Sequence, residues 1–217
     1  FIDLRGERML IDPGYYKDKP TDHCLPLIGG EGPDQPRGWT GTIIACESRG
    51  ELRHLACDST AAYNGAARRV IRHLVMIGDA GMILLDDIAA AGPVTAQYQC
   101  GGATGSLGAA SVGIRGAKSR MRMDLFGPRV LKARLHPERS LHDEHWGYHF
   151  ADCRHFPVTA AYAPDEKTPL VTVFLDVTGK DRGPAEVKRA GHTLRITLPG
   201  GRSATFAFVN GRWEWEG

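Results

Sequence analysis

Hydrophobic residues in this chain come in short runs cut off by Gly, Pro, Asn or Asp. The runs recur from end to end: "TGTIIACES", "ELRHLAC", "RRVIRHLVMI", "GMILLDDI", "VTAQYQC", "SLGAASVGI", "FPVTAAY", "LVTVFLDV", "HTLRITL", "SATFAFV" and "RWEWE". Several alternate strictly, with Leu194, Ile196 and Leu198 on one side of their run and Phe206 and Phe208 on one side of the next. Period two is the signature of a strand with one buried face. "FIDLRGERMLID" reads as two strands around a turn at Arg5, Gly6 and Glu7. Helical periodicity of any length is absent. The single short helical candidate is "DSTAAYNGAARR", where Asp58 and Ser59 can cap one turn and Gly65 can end it. The pattern predicts an all-β protein: a large antiparallel β-sandwich of two packed sheets and many short strands, with little or no helix. Gly-rich 100–108 and polar 136–150 are the irregular stretches, and residues 101–116 are the best place for a boundary between lobes.

Composition narrows the function classes. Twenty-seven basic residues against 25 acidic give a formal charge of +2, which removes the whole-molecule field of a general nucleic-acid binder. The five cysteines stand singly, without a Cys-x-x-Cys pair, so neither a zinc ribbon nor a disulfide scaffold is indicated. No run approaches the length of a membrane span. The first residue is Phe and the chain begins at once in strand-like sequence, which leads us to expect the C-terminal piece of a longer protein.

Four sets of residues could carry chemistry. In "LIDPGYYKDKPTDH", residues 10–23, Asp12 and His23 are ligand types that zinc accepts, though two ligands do not make a site. An Asp bonded within its own turn and a loop His are the plain alternative. In "HDEHWGYH", His145 and His149 are four apart beside His142, Asp143 and His155; a metal cluster and a solvated polar loop both fit. Lys118, Arg120 and Arg122 alternate in "AKSRMRM", as Lys132 and Arg134 do in "RVLKARL". As neighbouring strands these would form one basic strip suited to an anionic polymer; a solvated outer face gives the same alternation. Tyr15, Tyr16, Trp213 and Trp215 offer aromatic faces for sugar rings, with core or edge packing the stronger expectation for the tryptophans. No phosphate loop or nucleophile elbow is present.

Taken in order, "FIDLRGERMLIDPGYY", the His after a polar loop, "LIGGEG", "LACDSTAAY", "RRVIRHLVMI" and "MILLDDI" resemble the C-terminal β-sandwich of the heparinase II/III-like polysaccharide lyases, over about residues 1–90. The resemblance implies a parent enzyme that cleaves uronic-acid-containing glycans, glycosaminoglycan or alginate, by β-elimination. It implies an (α/α) toroid domain preceding this chain and carrying the catalytic Tyr and His, so that no catalytic residue falls within residues 1–217. It implies a zinc held by Asp12, by His23 and by a ligand upstream of residue 1, and a sugar faced by Tyr15 or Tyr16, Tyr16 being the better positional match. An anionic polysaccharide partner and a periplasmic or secreted location follow from the same likeness, without nucleic acid or membrane as partners. Cys24-Leu25 replaces the family's common Asn-Thr or Asn-Ser after the histidine, which leaves Cys24 as a soft donor or a small buried residue. A non-catalytic carbohydrate-binding or packing module is the alternative, since fold does not fix function.

Overall fold

The computed structural model describes residues 2–12, 19–33, 41–102, 104–128, 131–140, 154–179 and 183–217. Among them the chain forms strands and two short 3-10 turns, Pro20–Asp22 and Thr60–Tyr63. A seven-stranded antiparallel sheet runs β1 (Ile2–Leu4), β2 (Glu7–Ile11), β8 (Val94–Cys100), β14 (Arg154–Tyr162), β12 (Lys132–Leu135), with β3 (Pro26–Ile28) also on β8 and β13 (Arg139–Ser140) on β14. An eight-stranded antiparallel sheet is ordered β4 (Thr42–Arg49), β5 (Leu52–Asp58), β6 (Ala67–Ile77), β7 (Gly81–Ala90), β15 (Leu170–Asp176), β11 (Arg120–Phe126), β10 (Ser111–Arg115), β9 (Thr104–Leu107). A third sheet is the meander β16 (Glu186–Ala190), β17 (Thr193–Thr197), β18 (Ser203–Val209), β19 (Arg212–Trp215). The β18–β19 turn is Asn210-Gly211, both at positive φ, as a tight hairpin following the right-handed strand twist requires.

The expected antiparallel sandwich is therefore present, and a third sheet is stacked on its outside. One core lies between the seven- and eight-stranded sheets and includes Met9, Tyr98, Val158, Ala160, Met121, Met123, Leu84 and Phe174. The second joins Ile83, Leu85, Val171, Val173 and Leu175 to Ile196, Phe206, Trp213 and Trp215 of the third sheet. Alternate residues of β7 and β15 thus enter different cores, and each large side chain so buried contributes on the order of 2 kcal/mol. Two buried aspartates fasten the third sheet. Asp87 accepts the Trp213 backbone N–H at 2.9 Å, and Asp124 accepts that of Ala185 at 3.0 Å. Arg69 pairs with Asp87 at 2.8 Å and Arg122 with Asp124 at 2.7 Å, so neither carboxylate is left uncompensated. Burial nevertheless pushes the Asp87 carboxyl above its ordinary range.

Residues 101–116 hold β9 and β10 at one end of the middle sheet, and Val112 and Ile114 belong to the first core. The helical candidate forms the 3-10 turn Thr60–Tyr63, begun by Asp58, whose Oδ1 accepts the Thr60 N–H at 2.9 Å. It ends where Asn64 and Gly65 adopt positive φ.

Candidate functional site

Asp12 follows the last residue of β2, and the 3-10 turn Pro20–Asp22 returns the chain to His23, whose N–H donates to Pro20 O at 3.3 Å. The two side chains meet. His23 Nδ1 lies 3.0 Å from Asp12 Oδ2 and 3.3 Å from Oδ1, with the side chains 18% and 37% exposed respectively. Tyr15 and Tyr16 lie outside the described residues, as do His142, Asp143, His145 and His149.

The returning segment is held at several points. Cys24 donates its S–H to Ile11 O at 3.2 Å and accepts the Gln99 N–H at 3.1 Å. Gln99 Nε2 donates to Thr21 O at 2.9 Å, and the Gln97 N–H donates to Leu25 O at 3.1 Å. Beneath it, Arg72 of β6 binds Asp86 of β7 through Nε and Nη2 (2.6 and 3.2 Å) and donates through Nη1 to Cys24 O at 2.6 Å. Tyr63 closes the set by donating its hydroxyl to Pro26 O at 2.7 Å. In "DSTAAY", then, Asp58 starts a turn that aims Tyr63 at the strand following His23. Burial pushes the Cys24 thiol up to about 11, with the Gln99 N–H and Arg72 pulling weakly the other way. With its sulfur bonded to Ile11 O and to the Gln99 N–H, Cys24 pins the returning segment to β2 and β8.

An imidazole nitrogen and a carboxylate oxygen are both donor types that zinc accepts. At 3.0 Å the two side chains form a hydrogen-bonded pair. A complete site needs further ligands. Among the described residues no group of three His, Cys, Asp or Glu side chains is arranged to hold a metal ion.

The other candidates are placed as follows. Lys118 lies in the turn before β11, while β11 and β12 belong to different sheets. The rows containing Arg120 and Lys132 therefore do not form one strip; β11 pairs with β10, which aligns Arg115 with Arg120. Trp213 and Trp215 are core residues, 1% and 7% exposed. Sequence reasoning missed a buried histidine pair: His54 Nε2 lies 3.1 Å from His73 Nδ1, with the rings stacked and Trp215 against His54. The alternation of β5 and β6 carried the only signal for it.

No protein-family model matches the sequence, and no curated protein matches it significantly. Solved structures do match. A heparinase III, the BT4657 gene product with methylated lysines, superposes with a TM-score of 0.73 at 12% identity over 94% of this chain and 34% of that one. The heparan sulfate lyase HepC from Pedobacter heparinus gives 0.72 at 10% identity over 98% of this chain and 35% of its own. A further heparinase III gives 0.69 at 12% identity, over 92% and 33%. The chain has a heparinase-type sandwich fold. At these identities the likeness is one of fold, and the chain spans about a third of the length of those lyases. Asp12 and His23 thus meet where β2 of a heparinase-type sandwich ends.

Proposed function

We propose that this chain is the β-sandwich portion of a polysaccharide lyase that cleaves uronic-acid-containing glycans, one wall of whose cleft it forms. The observation that carries the reading is the approach of His23 Nδ1 to within 3.0 Å of Asp12 Oδ2, on a fold shared with heparinase III chains three times as long. Asp12 and His23 are two ligands of a zinc whose remaining ligands lie outside the described residues. The bound ion supplies a positive charge that fixes the returning segment and the carboxylate beside it. Within this chain the work is positional: Cys24, Gln99, Arg72 and Tyr63 hold the segment, and Tyr15 and Tyr16 face the sugar.

In the reaction the uronate carboxylate is neutralised, a base removes the C5 proton, the C4–C5 double bond forms as the C4–O bond breaks, and an acid protonates the leaving oxygen. We assign both proton transfers to residues outside 1–217, in a toroid domain packed on the sandwich, and we place the protein in the periplasm or outside the cell.

Two measurements test this. The metal content of the full-length protein is compared with that of Asp12→Ala; the variant is expected to lose its zinc, and equal content in both removes Asp12 from the ligand set. Residues 1–217 alone, incubated with heparan sulfate or alginate, are expected to release no ultraviolet-absorbing unsaturated product. Turnover by this chain would overturn the assignment of the chemistry elsewhere.

A further inference from the structure

The outer face of β9, β10 and β11 forms a concavity of about 660 Å³ away from Asp12 and His23. Strand register sets its side chains in rows. Thr104, Arg115 and Arg120 are aligned across the three strands, and Ser106, Gly113 and Arg122 form the next row. Gly113 makes the floor: a Cβ there would stand 2.7 Å from Ser106 Oγ, so any larger residue would crowd the hydroxyl and fill the hollow. Arg122 is tied to Asp124 at 2.7 Å, which sets its guanidinium in place. Arg115 and Arg120 are exposed, and among the described residues neither side chain has an ion-pair or hydrogen-bond partner.

Placing Arg115 directly opposite Arg120 has a cost. Like charges facing each other across an antiparallel pair destabilise a sheet. With Arg122 neutralised by Asp124, facing strands about 4.8 Å apart put Arg115 and Arg120 within the roughly 8 Å screening length of physiological salt. Their fields therefore add, and an anion bridging Arg115 and Arg120 reverses the repulsion. The remaining lining suits a sugar more than a nucleic acid. Serine and threonine hydroxyls in the lining can bond to sugar oxygens, and among the described residues no Phe, Tyr or Trp lines the hollow to stack a base.

We propose that this face is a second binding site of the protein, taking a sulfated or carboxylated oligosaccharide whose acidic groups bridge Arg115 and Arg120 while its ring lies over Gly113. It rests on the lyase reading only for the choice of a glycan as the polyanion. The probe is a heparin-derived octasaccharide titrated calorimetrically into the full chain, beside Arg115→Gln/Arg120→Gln and a control pair, Lys132→Gln/Arg134→Gln, on the other sheet. The arginine variant is expected to bind at least tenfold more weakly. Its plot of log affinity against log salt should be shallower by about two, the change for two lost ionic contacts. The control pair should bind as the parent does. Amide NMR shifts of Ser106 and Gly113 on titrating the unmodified chain give a readout that needs no variant to fold. Unchanged affinity in the arginine variant, equal losses in the control pair, no binding, no shift at Gly113, or tighter binding of single-stranded DNA of equal charge would each overturn the proposal. Binding is read without turnover, so a chain that lacks elimination activity or zinc leaves this test intact; Asp12→Ala is expected to bind the octasaccharide normally.

Discussion

His73 gives the sharpest energetic prediction. It is 3% exposed and sits on β6 under the third sheet. Burial, then the neighbouring His54 and Arg212, push its imidazole down to about 3 from the ordinary 6.5. The groups around the pair are Glu47 and Arg49 from β4, Arg212 and Glu214 from β19, and the Trp215 and Phe206 rings. Neither carboxylate bonds to His73. Two neutral rings can share one N–H across the 3.1 Å gap; two protonated rings would face donor to donor.

With the folded value below the unfolded one, the unfolded chain binds the proton first. Stability is therefore intact above pH 6.5 and falls as the pH drops, by about 1.4 kcal/mol per pH unit, until the folded form titrates near 3. Between pH 7.5 and 5 this amounts to about 2 kcal/mol, in a window where most carboxylates stay ionised. Urea unfolding followed by tryptophan fluorescence at both pH values measures it. In His73→Gln, which keeps a hydrogen-bonding partner for His54 without a proton to gain, the decline over that window should be smaller by about 2 kcal/mol. Parallel declines in the two proteins would refute the claim that His73 is held neutral by burial.

Two further outcomes follow from buried charges. Arg72→Met strands Asp86 and removes the donor to Cys24 O, so unfolding free energy should fall by about 3–5 kcal/mol; Arg72→Met/Asp86→Leu should recover most of it in the same urea titration. Asp124→Ala leaves the Ala185 N–H without its 3.0 Å acceptor and removes the Arg122–Asp124 ion pair. Hydrogen exchange should then quicken in β16 and β17 while β8 and β14 keep their protection.

Strand existence was plain in the sequence because turn residues cut the chain at nearly every strand end: Arg5-Gly6 between β1 and β2, and Asn210-Gly211 between β18 and β19. The third sheet was harder to see. "HTLRITL" and "SATFAFV" alternate like any sandwich strand, and nothing in them says which surface they cover. The sign was in their neighbours: β7 and β15 are apolar on both sides, with Asp86 and Asp87 adjacent mid-strand, a pattern of strands with no wet face. At the candidate site, the meeting of Asp12 and His23 was reached from the order of motifs. Their support was not legible, because Arg72 and Gln99 reach the segment from strands distant in sequence. The basic strip failed for the same reason: alternation tells which side a lysine or arginine is on, while only topology tells which strand lies beside it.

The middle sheet has no expendable cover. Deleting residues 183–217 would bare Ile83, Leu85, Val171, Val173 and Leu175 together, a greasy ribbon already in extended form and far from the scattered apolar side chains an ordinary surface tolerates. Such a shortened chain would find relief by stacking on its own kind. The closing meander is thus a built-in guard against clumping, and the smallest piece of this protein worth expressing runs through Trp215.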